Sequence, residues 1–109
     1  MLPAQHRLAK TTDIATVQSR GRRFFTPFFV VKALYKPREL TRFAFIVSTK
    51  VSKKAVDRNR IKRMMRQAVR VTLANFKPGD YVVIVKPPAV KLPSLELKTE
   101  FLKLLEKLK

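Results

Sequence analysis

Hydrophobic and polar positions change their spacing along this chain, and the changes predict where helices and strands lie. Three short runs rich in aromatic and β-branched residues are typical of strands, whereas two longer stretches carry apolar residues every three or four positions, as helices do. A short helix is also expected near the N-terminus, begun by Thr11 or Thr12 and stopped at Gly21. The predicted order is α-β-β-α-β-α, a single two-layer α+β domain over residues 1–109.

The predicted strands form a central, mostly antiparallel sheet. The first apolar run covers residues 24–35, and Pro27 is expected to split it or to mark its start, because proline cannot donate a ladder hydrogen bond. The second run, at 42–49, follows a loop at 36–40 and is predicted to lie antiparallel to the first. The third run is at 80–86. These runs are far too short to span a bilayer, so no membrane partner is expected.

Two longer helices follow from the helical spacing. The C-terminal helix is expected to open with Ser94 as its N-cap and to turn five apolar residues inward, namely Leu97, Phe101, Leu104, Leu105 and Leu108. The central helix is predicted from about Ala55 to Asn75, with side chains set about 100° apart around its axis. Its apolar arc faces the sheet and consists of Ile61, Met64, Met65, Ala68, Val71 and Thr72.

The remaining arc of the central helix is polar and densely cationic. We call it the cationic stripe, and it consists of Asn59, Lys62, Arg63, Arg66 and Arg70. Arg58 and Arg60 lie outside the stripe in the first turn, and three lysines extend the footprint just before the helix, namely Lys50, Lys53 and Lys54. Only Asp57 is acidic between positions 50 and 70, so the acidic partners that support an ordinary solvated face are missing.

Composition agrees with a polyanionic partner. The 109 residues include 25 Lys and Arg against 7 Asp and Glu, a formal net charge of +18. Self-repulsion of this size is tolerated in a protein whose cations are usually neutralised by bound phosphates. A hydrophobic content of 46% supports a folded core rather than disorder. The chain has no cysteine, which excludes disulfides and thiol catalysis and is compatible with a reducing cytosol. RNA or DNA binding is therefore the predicted function of the stripe.

Aromatic residues of the first strand supply a second candidate surface. Strand alternation predicts Phe28, Val30 and Lys32 on one face and Phe29 with its alternating neighbours on the other. The face that carries Lys32 is expected to meet solvent or a nucleotide, since the other face is needed for the core. Phe28 and Lys32 are accordingly predicted as RNA contacts.

The chain carries no recognisable catalytic centre. Its one histidine, His6, is expected to be solvated near a loose N-terminus, and the carboxylates form no paired motif. With Gly21 and Gly79 as its only glycines it cannot form a glycine-rich phosphate loop, and no metal-ligand cluster is visible. We therefore predict no catalytic residue, no metal site and no cofactor within the protein itself.

The chain resembles the protein component of bacterial ribonuclease P over nearly its whole length. The signature region at 48–66 reads STKVSKKAVDRNRIKRMMR, and its most specific part is the ordered run from Arg58 to Arg63. Arg7 and Leu8 before the first helix, and the sequence GDY at 79–81, continue the match.

The resemblance implies a holoenzyme in which a catalytic RNA cuts precursor tRNA and releases its 5′ leader, using Mg²⁺ bound mainly by RNA. The family implies that Arg58 and Arg60 contact the catalytic RNA, whereas Asn59, Lys62, Arg63 and Arg66 lie near a cleft that takes the single-stranded leader. It also implies a ribosomal protein S5 domain 2-like fold with a left-handed βαβ crossover, although general rules favour a right-handed one. A monomer in a 1:1 ribonucleoprotein, located in the cytoplasm, is expected.

Some positions depart from the family pattern, and two other functions stay open. Ile14, Gln18 and Lys32 stand where the family often has aromatics, and Thr49 replaces a common lysine. Leader stacking is expected to be weaker there, with Lys32 offering charge instead.

The first alternative function is a structural RNA-binding protein, such as a ribosomal protein. The second is an anionic-lipid-binding domain, which would need exposed bulky apolar residues on an amphipathic helix.

Overall fold

Four strands form one mixed sheet in the computed structural model, which describes residues 3–37 and 39–108. The strands are β1 (Arg22–Phe25), β2 (Phe29–Tyr35), β3 (Arg42–Ile46) and β4 (Gly79–Val85). Their spatial order is β1-β2-β4-β3, in which β1–β2 and β2–β4 are antiparallel and β3–β4 is parallel. The sheet is thus mostly antiparallel, as predicted, and Pro27 separates β1 from β2.

Three helices complete the domain. They are α1 (Thr11–Arg20), α2 (Ala55–Thr72) and α3 (Ser94–Leu108), with single 3₁₀ turns at Ala4–His6, Leu73–Asn75 and Pro87–Lys91. Ser94 is the first helical residue of α3 rather than its N-cap, because the Leu97 amide already donates to the Pro93 carbonyl. Likewise, Lys10 rather than a threonine occupies the N-cap position of α1. No helix in the described ranges is long and apolar enough to cross a membrane.

The neighbour of β3 in the sheet is β4 and not β2. β3 runs opposite to β2, as predicted, but β4 lies between them and pairs with both. Parallel β3 and β4 need a long crossover, and α2 supplies it. The handedness of this crossover stays a prediction from the family. The loop predicted at 36–40 connects β2 to β3, and its Arg38 lies outside the described residues.

The main core lies between the sheet and the pair α2 and α3. Alternate residues of each long strand point into it, among them Phe29 and Tyr81, both fully buried. The Phe29 ring packs 5.2 Å from the Phe101 ring of α3. The predicted inward residues of α3 are all buried, which confirms the helical phase. They are Leu97, Phe101, Leu104, Leu105 and Leu108.

A smaller core lies on the opposite face, under α1. Val17 is fully buried there against Ala44 and Val82. α1 ends at Gly21, and only glycine fits there because a Cβ at this position would come within 2.4 Å of the Val17 carbonyl oxygen. α1 covers only part of this side of the sheet. We call the whole side, which carries Lys32 and faces away from the main core, the open face.

The buried arc of α2 is rotated slightly from the predicted one. Ile61, Met65 and Ala68 are buried as expected. Val71, predicted inward, is 85% exposed, whereas Val69 is fully buried. Val69 belongs to the main core, whereas an open groove of about 550 Å³ between α2 and α3 lies beside Val71.

Candidate RNA interface

The cationic stripe of α2 faces outward as predicted. Asn59, Arg63 and Arg70 are exposed, and Lys62 and Arg66 are half-buried at its edge. Among the residues that the structure describes, no carboxylate lies within ion-pairing distance of the four stripe cations. The stripe is therefore a charged surface without an internal counterion, which an RNA backbone would neutralise.

Several of the few carboxylates pair with residues outside the stripe, so they do not neutralise its positive charge. Asp13 and Asp80 both pair with Arg42, at 3.7 Å and 2.8 Å. Asp57 lies 3.9 Å from Arg60 and accepts a hydrogen bond of 2.9 Å from the Ser52 hydroxyl. The segregation of acidic groups away from the stripe leaves its positive field uncompensated.

Among the residues that the structure describes, Asp80 is the one charged side chain that is buried, with 1% of its surface exposed. Arg42 donates to both of its carboxylate oxygens, and the Lys36 ammonium lies 2.8 Å from Oδ2. Burial alone would raise the pKa of Asp80, but the hydrogen bonds from Arg42 and Lys36 outweigh it and hold the pKa below its ordinary value. The same hydrogen bonds raise the pKa of Arg42 and of Lys36. This ionic cluster holds the start of β3 against the start of β4.

The two arginines of the first turn point to opposite sides of the stripe. Arg58 turns back and donates from Nη1 to the Ser52 carbonyl at 2.8 Å. Arg60 turns toward α3, where its Nη1 donates to the Ser94 hydroxyl. Their separation from the stripe agrees with the helical wheel. Each nevertheless keeps part of its surface exposed for an external phosphate.

The segment before α2 presents its lysines to solvent. Lys50, Lys53 and Lys54 are all exposed, as predicted. Val51, 4% exposed, anchors the segment in the main core, and Ser52 ties it to the first turn of α2. The three ammonium groups are thus carried on an anchored turn that lengthens the cationic surface along the chain.

A groove joins the stripe to the open face. Arg66 lines it together with Ile14 of α1 and Ile46 of β3, and its volume is about 220 Å³. Ile46 belongs to the open face, since it is paired with Ile84 and packs on the α1 side of the sheet. A strand of RNA bound to the stripe can therefore continue over the edge strand β3 onto the sheet.

The open face carries Lys32 but not Phe28. Lys32 is half-buried opposite Val82, on the side away from the main core, as the alternation predicted. Phe28 precedes β2, so the alternation does not extend to it, and it packs on the main core. It lines a cavity beside α3 with Glu96 and Glu100, whose charges disfavour phosphate. The predicted placement of Phe28 on the Lys32 face is therefore wrong, whereas its contact with RNA stays a prediction.

The N-terminal segment contributes residues that were not predicted from the sequence as part of the site. The Leu8 amide donates to the Phe43 carbonyl at 2.9 Å, so the segment extends along the outer edge of β3 and brings Arg7 to the same groove. His6 is half-buried, and its Nδ1 donates to the Thr41 carbonyl at 2.7 Å instead of being solvated. No periodic apolar pattern marks this segment in the sequence.

The described residues offer no metal site of the carboxylate, histidine or cysteine kind. Among positions 3–37 and 39–108, no three such side chains come together.

Comparison with known proteins shows which sequences this chain is similar to. The family model described as Ribonuclease P matches residues 2–109. The ribonuclease P protein component of a Picosynechococcus species is 42% identical over 83 residues, covering 76% of this chain and 72% of that protein. That of an Exiguobacterium species is 38% identical over 99 residues, covering 91% and 85%.

Solved structures give the same result for the fold. The Staphylococcus aureus RNase P protein superposes with a TM-score of 0.85 at 26% identity, covering 94% of this chain and 96% of that one. The Thermotoga maritima RNase P protein superposes with a TM-score of 0.80 at 24% identity, covering 94% and 97%, and supports the fold alone.

Proposed function

The chain belongs to the ribonuclease P protein family, and from this premise we propose that it holds the single-stranded 5′ leader of precursor tRNA beside the catalytic RNA. As a protein subunit of the ribonuclease P endoribonuclease, it has an RNA partner in a ribonucleoprotein. The alternative of a structural RNA-binding protein without an enzymatic role is not favoured by these relatives.

The observation that carries the proposal is the shared groove of Arg66, Ile14 and Ile46. It places the guanidinium of Arg66, which has no carboxylate partner within the described part of the chain, at the border of a half-covered sheet surface. A single-stranded leader needs both elements, because cations neutralise its phosphates while its unstacked bases need apolar cover. A duplex would find the phosphate contacts of the stripe but could not lay bases on the sheet.

Binding of the catalytic RNA is assigned to the cations that lie beside and before the stripe. Arg58 and Arg60 face to either side of it, and three exposed lysines precede it, namely Lys50, Lys53 and Lys54. Fork-shaped guanidinium groups suit phosphates held at fixed positions in a folded RNA. Two separate RNA segments can thus bind the same protein without competing for one set of cations.

The chemistry is assigned to the RNA partner. Mg²⁺ would supply the activation of water and the stabilisation of charge there, and this chain would raise local affinity for the leader by neutralising phosphates. We further propose one protein per RNA, since a chain of net charge +18 repels its own copies, and a cytoplasmic site of action.

The test is cleavage of precursor tRNA by a bacterial ribonuclease P RNA at low Mg²⁺, with and without this protein. We expect correctly placed 5′ cleavage to be restored by the protein, and no cleavage by the protein alone. A matched substrate without a leader measures affinity for the tRNA body. Tight RNA binding without restored cleavage would overturn the proposal and favour a structural RNA-binding role. Binding to anionic vesicles but not to RNA would favour the lipid alternative.

A further inference from the structure

Phe25 is an exposed aromatic ring on the open face. It shows 61% of its surface to solvent, whereas the neighbouring Phe24 packs on the main core. Phe25 is paired with Val30 across β1 and β2, and directly opposed residues of an antiparallel pair share a face. Phe25 therefore lies on the same side of the sheet as Lys32.

The ring ends an apolar row that crosses all four strands. Phe25 is paired with Val30, Val30 with Ile84, and Ile84 with Ile46. Ile46 in turn lines the groove of Arg66. One continuous apolar path thus leads from the cationic stripe to the outer strand of the sheet.

Cationic residues occupy positions next to Phe25 in the sheet. Arg23 lies two residues away on the same face of β1 and is paired with Lys32 of β2. On the other side, the Lys86 ammonium donates to the carbonyl of Thr26, the residue that follows Phe25, at 3.1 Å. Proteins bind single strands by combining aromatic side chains that stack on bases with a cationic surface that follows the phosphates.

A single exposed apolar side chain has no meaning by itself. Among the described residues, however, the other large apolar side chains that are exposed are aliphatic, and Phe25 alone presents a ring. Its place at the end of the row and among three cations distinguishes it from Leu95, which is 77% exposed on α3.

We infer that Phe25 is a stacking platform for one base of the single-stranded RNA that crosses the open face, with Arg23 and Lys32 binding the adjacent phosphates. This inference rests on the proposed leader-binding function and extends the leader path from Arg66 to the outer strand β1. It assigns the far end of that path a nucleobase rather than a phosphate.

The test uses the holoenzyme formed with a bacterial ribonuclease P RNA, and dissociation constants for precursor tRNA and for mature tRNA. Phe25→Ala should weaken precursor binding about fivefold or more and leave mature tRNA unchanged, since stacking acts through one base. Phe25→Trp should restore affinity, whereas Phe25→Leu should not. Leu95→Ala is the matched control for an exposed apolar residue, with no change expected. Thermal unfolding of each variant checks the fold.

A scan with abasic nucleotides locates the base. One leader position should exist at which removal of the base weakens the wild-type complex and abolishes the difference from Phe25→Ala. Wild-type affinity in Phe25→Leu would show apolar cover without stacking and overturn the inference. An unchanged Phe25→Ala, with the wild-type preference for the leader intact, would overturn it while the proposed function stands. A wild-type protein with no leader preference would overturn both.

Discussion

The Arg42 guanidinium clasps the Asp80 carboxylate with two hydrogen bonds, from Nε to Oδ1 at 2.9 Å and from Nη2 to Oδ2 at 2.8 Å. The two residues face each other at the start of the parallel β3–β4 pair. Since β3 is an edge strand and borders the groove of Arg66, this ion pair fixes one wall of the RNA interface. The scaffold thus uses its buried carboxylate to position the groove.

Asp80→Asn should destabilise the domain at neutral pH by about 3 kcal/mol, because it removes the buried carboxylate charge that pairs with both Arg42 and Lys36. Urea unfolding at about pH 7 measures the change. The matched control is Glu100→Gln, which removes an exposed pair with Lys103 and should change the free energy of unfolding by less than about 0.5 kcal/mol.

Acid should remove the advantage of Asp80. Its pKa is lowered in the folded state, so its contribution is fully present above the ordinary value of 3.8 and is lost as the pH falls through the folded pKa. The difference in unfolding free energy between wild type and Asp80→Asn should therefore be constant from about pH 5 to 7 and should shrink below about pH 4. A difference that grows in acid would contradict the role of the ion pair.

Salt should weaken RNA binding steeply, because each phosphate neutralised by the stripe releases a counterion. Removal of one exposed stripe charge in Arg63→Gln should reduce the slope of log affinity against log salt by about one. Lys103→Gln removes the same charge from α3, where Lys103 pairs with Glu100, and should leave the slope unchanged. Equal slopes for both variants would show that the stripe is not the binding surface.

Arg66 and Arg70 lie on the same stripe, yet they should act differently. Arg66 lines the groove at β3, whereas Arg70 lines the groove between α2 and α3. Arg66→Ala should weaken precursor tRNA about tenfold relative to mature tRNA in the holoenzyme, the loss of one charge-assisted hydrogen bond. Arg70→Ala should weaken both alike. The ratio of the two dissociation constants is the measurement, and an equal loss in Arg66→Ala would reject the leader path.

Periodicity predicted those parts of the fold in which an element packs against a single neighbour, because that one contact sets the spacing of the apolar residues. The inward residues of α3 follow from 3.6-residue spacing because a single apolar stripe meets a single core. The cationic stripe on α2 follows from the same helical geometry. The side of the helix that packs on the sheet excludes charged side chains, so they lie on the side that faces water. The split at Pro27 needed only the missing amide of proline.

The remaining features depend on contacts between distant segments. Alternation gives the face of a residue but not the neighbour of its strand, so the position of β4 between β2 and β3 was not predictable. Phe28 lies one residue before the start of β2, so the alternation of strand residues does not give its face. The N-terminal segment reaches the groove through a backbone hydrogen bond from Leu8 to Phe43, which no side-chain pattern encodes.

Val69 and Val71 form a matched pair for the phase of α2. Both are valines near the C-terminal end of one helix, and Val69 is fully buried while Val71 is 85% exposed. Val69→Ala should cost about 2 kcal/mol of unfolding free energy, because it removes two methyl groups from the core and leaves a cavity. Val71→Ala should stay within about 0.5 kcal/mol, since its side chain faces an open groove. Urea unfolding of the two variants beside the wild type is the measurement. A greater loss in Val71→Ala would mean that α2 packs with the phase predicted from the sequence, and the groove beside α3 would then be closed in solution.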